Sequence, residues 1–163
     1  MNWLFKEEPT HYAYADLERD GTTRWSGVKN PLAQKHLRSI RRGDRVFYYH
    51  TGKEKAIVGV ARAAGDAYAD PADRSGRLFA VDIVPERRLG SPVPLAAIKA
   101  RPVFASFPLV RISRLSVMPV DELTWSAIEA MSGAKPAPAG RSSRSVGAAR
   151  SVGSRRARRS GKR

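Results

Sequence analysis

Three apolar runs, at residues 45–50, 56–64 and 77–85, constrain this 163-residue chain most, because each is too short for a core helix and too regular for a loop. In the first, Val46 and Tyr48 alternate with Phe47 and Tyr49 before His50. The second carries Ile57, Val58 and Val60, and the third Leu78, Phe79, Val81, Ile83 and Val84. β-Branched and aromatic side chains in such runs suit buried pleated strands. Shorter strands are expected at 2–6 and 115–120. Helices are expected only in short pieces. One covers 14–19 and closes at Asp20-Gly21. One opens at Asn30-Pro31, an N-cap amide followed by proline at the first helical position, has Leu32, Leu37 and Ile40 as its apolar side, and ends at Gly43-Asp44. Others cover 94–101 and 120–131, the last with Asp121 as N-cap. The pattern predicts an α+β fold: a curved mixed sheet or small barrel with short helices at its rim.

Charge divides the chain near Gly133. Residues 134–163 hold ten Lys or Arg and no acid, so residues 1–133 keep 20 of the 30 basic residues and all 15 acids, a net +5 out of +15. Small residues, proline and one sign of charge cannot offset the entropy lost on folding, so the expected organisation is a domain at 1–133 and a disordered basic tail at 134–163. The tail repeats Arg-Ser-Val-Gly and ends in a cluster with Arg155, Arg156, Arg158 and Arg159. Such a segment attracts polyanions by counterion release, and nucleic acid is the expected partner. The absence of cysteine excludes disulfides, thiol catalysis and cysteine-ligated zinc. His11, His36 and His50 are too scattered for a metal site, so neither metal nor cofactor is expected. No apolar run is membrane-spanning in length and no secretory signal opens the chain. The expected location is cytoplasmic, on the nucleoid if the protein is bacterial.

The segment Trp25-Ser26-Gly27-Val28-Lys29-Asn30 joins a flat aromatic ring, a glycine and an amide, the parts needed to stack on a heterocycle and read its edge. Ser26 and Gly27 suggest that Trp25 sits at a tight turn rather than in a core strand, although a lone tryptophan is more often core. Asn30 has two competing uses, base edge or helix cap, and the cap has the better claim.

Several blocks in this order resemble an EVE domain of the PUA-like group: Trp3-Leu4-Phe5-Lys6-Glu7-Glu8-Pro9, the Trp25–Asn30 segment, Gly43-Asp44 leading to Tyr48-Tyr49-His50, Ile57-Val58-Gly59-Val60, Phe79-Ala80-Val81-Asp82-Ile83, and Pro108-Leu109-Val110-Arg111 with the stretch Ser113 to Val120. The resemblance spans residues 1 to about 131 and implies a pseudo-barrel with a pocket for a modified nucleobase, typically a modified cytosine such as 5-methylcytosine in DNA. Carried onto this chain, it implies a base pocket drawn from Lys6, Glu7, Glu8, Trp25, Gly27, Val28, Asn30, His50, Leu115 and Ser116. Glu7 stands where the family commonly has serine, and Lys29 where it commonly has arginine. Lys29, Lys35, Arg38, Arg111 and Arg114, with the four tail arginines, are expected to hold phosphates around a flipped base. The chain has no P-loop, nucleophile elbow or dinucleotide fingerprint, and Asp66, Asp70 and Asp73 read as a polar loop. A non-catalytic reader is therefore expected, one that could pass its signal to an effector protein. The alternative is a PUA-like RNA-binding module serving RNA modification or processing.

Overall fold

The computed structural model describes residues 1–133. The expectation of a disordered tail falls outside them. β1 (Asn2–Glu7) leads to α1 (Tyr14–Asp20), the three-residue β2 (Thr23–Trp25) and α2 (Pro31–Arg38). Next come β3 (Arg45–His50), β4 (Ala56–Ala63), the brief β5 (Tyr68–Ala69) and the long β6 (Phe79–Pro94). α3 (Leu95–Lys99), a 3-10 turn at Pro102–Phe104 and α4 (Pro108–Arg111) precede β7 (Val117–Val120) and α5 (Glu122–Met131). The strands make one curled mixed sheet in the order β2-β6-β4-β3-β1-β7, with β5 attached to β6. Only β1–β3 is parallel among these pairs, and the expected α+β architecture with rim helices is the one observed.

Alternation along β1 and β3 creates two unlike faces. Phe5 lies beside Tyr48 and Glu7 beside His50, while Leu4 and Lys6 lie beside Phe47 and Tyr49 and point the other way. The first face packs against α1 and α2: Tyr14 meets Tyr48 edge-on at 5.4 Å and Trp3 meets His36 at 6.2 Å. The second face packs against α3 to α5, with Phe47 stacked on Trp125 at 3.6 Å. Gly59 on β4 is needed for the first packing, since a Cβ there would lie 2.6 Å from the Tyr14 ring.

Asn30 accepts from the Ala33 N–H at 3.0 Å and Asp121 from the Thr124 N–H at 2.7 Å, so both predicted caps form. Four expectations of the fold need correction, the first being the end of α2, which stops at Arg38 rather than at Gly43-Asp44. Trp25 ends a strand rather than occupying a turn, and is 6% exposed. Leu32 is 40% exposed, and Ala33 and Gln34 take the buried side of α2 with Leu37. β6 does not stop at Pro85: a register shift between Val60 and Ala61 on β4 falls opposite the proline and lets the ladder continue. Among the described residues no helix is long and apolar enough to cross a membrane.

Candidate nucleic-acid interface

Trp25 leaves β2 between two sheet residues. Its ring is tilted on Phe5 at 4.9 Å and meets Tyr48 edge-on at 5.5 Å. The polar tips around it are almost all satisfied. Tyr48 donates its hydroxyl to the Tyr12 carbonyl at 2.6 Å, and burial, then the Glu7 charge, raises its pKa. Tyr14 donates to the carbonyls of Val60 and Arg87. His50, 7% exposed, accepts at Nε2 from the Tyr14 N–H at 3.0 Å, so its Nδ1–H donates to Glu54 at 2.8 Å. His50 therefore braces α1 against the sheet instead of presenting a free edge, as the sequence had suggested.

The Trp25 indole N–H is different. Trp3 donates to Asp44 and Trp125 to Glu129, but Trp25 has no acceptor among the described residues despite its burial. A buried indole N–H ordinarily finds a partner.

Of the other residues expected at the base pocket, Glu7 lies on the Trp25 face, where its carboxylate meets His11 Nδ1 at 2.6 Å. Glu8 follows at the strand end and accepts from the hydroxyls of Thr10 and Thr51 at 3.3 Å each. Gly27 is exposed at φ 75°, a conformation that favours glycine, and Val28 is 8% exposed. Asn30 spends its side-chain oxygen on the cap. Lys6 is not in the same lining: its side chain leaves the opposite face, where Nζ donates to the Ser113 carbonyl at 2.7 Å. Ser116 accepts at its carbonyl from the Lys6 N–H, and Leu115 is 1% exposed, so these two border β1 rather than Trp25.

The cations divide as well. Lys29, Lys35 and Arg38 come together with Arg77 around a cavity of about 670 Å³ whose lining contains no acid. Arg38 lies 5.0 Å from the Phe79 ring centre and donates to the Arg77 carbonyl. Asp73 shapes the facing loop: the backbone N–H of Leu78, the Ser75 hydroxyl and further amides hold its carboxyl below the usual carboxylate range. Asp66, Asp70 and Asp73 therefore order loops, and no group of metal-capable residues occurs among the described residues. Arg111 and Arg114 are exposed on the segment around Ser113, away from the α2 cavity. The four tail arginines lie outside the described residues.

The EVE domain sequence profile matches residues 1–131. The chain belongs to the EVE domain family. Rpa0253 from Rhodopseudomonas palustris, solved by NMR, is 42% identical with a TM-score of 0.78, covering 81% of this chain and 92% of that one. Thymocyte nuclear protein 1 of Gallus gallus is 35% identical over 81 residues, 42% of this chain and 34% of that protein, so the match spans about a third of the length of this curated relative. The crystal structure of human THYN1 protein in complex with 5-methylcytosine containing DNA shares the fold, with a TM-score of 0.75, 24% identity and coverage of 83% of this chain and 99% of that one.

Within this EVE domain, two contributors escaped the sequence reading. Gln34, 5% exposed, donates to the Val28 carbonyl at 2.7 Å and accepts from the Phe79 N–H at 3.0 Å, tying the segment after Trp25 to β6. Arg77 joins the α2 cations only because the 70s loop folds over α2. No local pattern announces either one.

Proposed function

We propose that this EVE domain is a nucleic-acid reader that recognises a modified base, a modified cytosine in DNA, at the wall formed by Trp25. The observation that carries this reading is that the indole N–H of the buried Trp25 has no acceptor among the described residues, next to exposed Ser26, Gly27 and Lys29. The ring offers stacking surface, and its N–H is a donor not committed to the described fold. Because Trp25 is only 6% exposed, a base reaches it by displacing residues 26–29. The space around Gly27 is open, since a Cβ there would meet nothing within 4 Å, so the segment has room to move. The cluster of Lys29, Lys35, Arg38 and Arg77 then holds the flanking phosphates. The 5-methylcytosine containing DNA in the human THYN1 complex supports cytosine as the target. The basic residues of 134–163 add affinity that ignores sequence and modification. The role is binding, without catalysis.

A competition titration tests this. One duplex with plain or 5-methylated cytosine, and RNA of matching sequence, are titrated against the full chain at fixed salt. The expected order is modified DNA, then plain DNA, with RNA weakest. Equal affinity for the two DNAs sinks the reader, and tightest binding to RNA transfers the domain to RNA recognition. Truncation after Gly133 is expected to weaken all three and flatten their salt dependence while preserving the ratio.

A further inference from the structure

We propose a second ligand site on the opposite face of the sheet: the recess between β1, β3 and the α3–α4 region binds a phosphate ester. It is a cavity of about 280 Å³ lined by three lysines, Lys6, Lys55 and Lys99, and by Tyr49, Thr51 and Ser113, with an apolar wall from α4. No carboxylate is among its lining residues. Glu8 approaches Gly52 at the margin and takes the Thr10 and Thr51 hydroxyl protons, so one carboxylate stands at the edge against the three lysines.

Three independent features point to an oxyanion. Tyr49 is 3% exposed, and its hydroxyl is the only one of the chain's five tyrosine hydroxyls without a hydrogen-bond partner among the described residues. A phenol buried in this way lacks an acceptor, and a phosphoryl oxygen is one. Lys6 is half-buried with one of its three donors used, on the Ser113 carbonyl, and burial lowers its pKa. Burial strips water from the Lys6 ammonium, and an anion in the recess would stabilise the charged form in its place. Lys55 has φ 44°, the only positive φ at a non-glycine among the described residues. Backbone strain of this kind persists where the surroundings over-determine it, and it tends to cluster at ligand sites. Here it sets Lys55 among the lining residues, where its carbonyl accepts from the Leu95 N–H at 2.8 Å.

A lysine trio acts as point charges for phosphate rather than as a planar fork for carboxylate. The phosphate has two possible sources, a free phosphate ester or a backbone phosphate of the strand held on the other face. The site does not depend on base reading at Trp25.

The test is a two-dimensional amide NMR titration of the full chain with inorganic phosphate, with deoxycytidine monophosphate, and with a plain DNA duplex. Saturable shifts at Thr51, Lys55, Lys99 and Ser113 are expected. With the small ligands, such shifts identify a free ester; with the duplex alone, they identify a strand phosphate. Lys99→Gln is expected to weaken the event by about tenfold, the loss of one charge-assisted bond. Tyr49→Phe should weaken it by a few-fold while leaving the spectrum folded. The ratio of modified to plain DNA affinity should be unchanged in Lys99→Gln, which separates this site from the Trp25 wall. Absence of shifts at these four residues with all three ligands, or wild-type affinity in both variants, overturns the proposal.

Discussion

The two faces of the sheet set an unpartnered aromatic donor in different surroundings. On the α1/α2 face, Tyr14, Tyr48 and His50 bond within the chain, while the Trp25 N–H, set in an aromatic cluster, has no acceptor among the described residues. On the α3–α5 face, the Tyr49 hydroxyl has no partner among the described residues, and lysines share its recess. An unpaired donor against stacked rings suits a flat ring with an acceptor edge. An unpaired donor among ammonium groups suits an oxyanion. The same deficiency, set in two environments, selects two chemistries.

The comparison is sharpest at the two aromatic residues themselves. Trp25→Ala removes a packed indole and is expected to cost about 3–5 kcal/mol in denaturant unfolding. Tyr49→Phe removes a hydroxyl that bonds nothing in the described chain, so its cost should stay below about 1 kcal/mol. Similar costs for the two would erase the distinction between a packed wall and an open recess. A smaller effect is expected at Asn30. Asn30→Ala should lose about 1 kcal/mol of stability through the cap and leave the modified-to-plain ratio intact. A collapsed ratio with unchanged stability would return Asn30 to the base edge.

The smallest effect is a slope in pH. Burial, and then the Lys35 charge, hold His36 below its ordinary value of 6.5. As pH falls below 6.5, the unfolded chain takes up this proton first, so stability declines until the folded imidazole titrates too. His36→Gln should flatten that part of the stability profile between neutral and mildly acidic pH. An unchanged slope would place the titration elsewhere.

What was legible in the sequence follows the range of the forces involved. The caps at Asn30 and Asp121 depend on amides three residues away, and both were readable. The β3 and β4 runs were also readable, because their period is local. β2 was not, since three residues carry no periodicity and Trp25 is buried by Phe5 and Tyr48 from distant strands. The continuation of β6 beyond Pro85 depends on a slip in its partner strand. The expected strand ends at Lys6, whereas β1 runs on to Glu7, so alternation sends Lys6 and Glu7 to opposite faces and only Glu7 joins Trp25. The role of His50 was hidden because its partner at Nε2 is a backbone amide on α1.

The central claim, that a modified base is read against Trp25, is tested most directly by the indole N–H resonances of the three tryptophans during titration with the paired duplexes. The Trp25 signal is expected to move strongly with 5-methylated cytosine and weakly with plain cytosine, while Trp3 and Trp125, already bonded to carboxylates, stay in place. A Trp25 signal that responds identically to the two duplexes, or not at all while the methylated one binds more tightly, would contradict it.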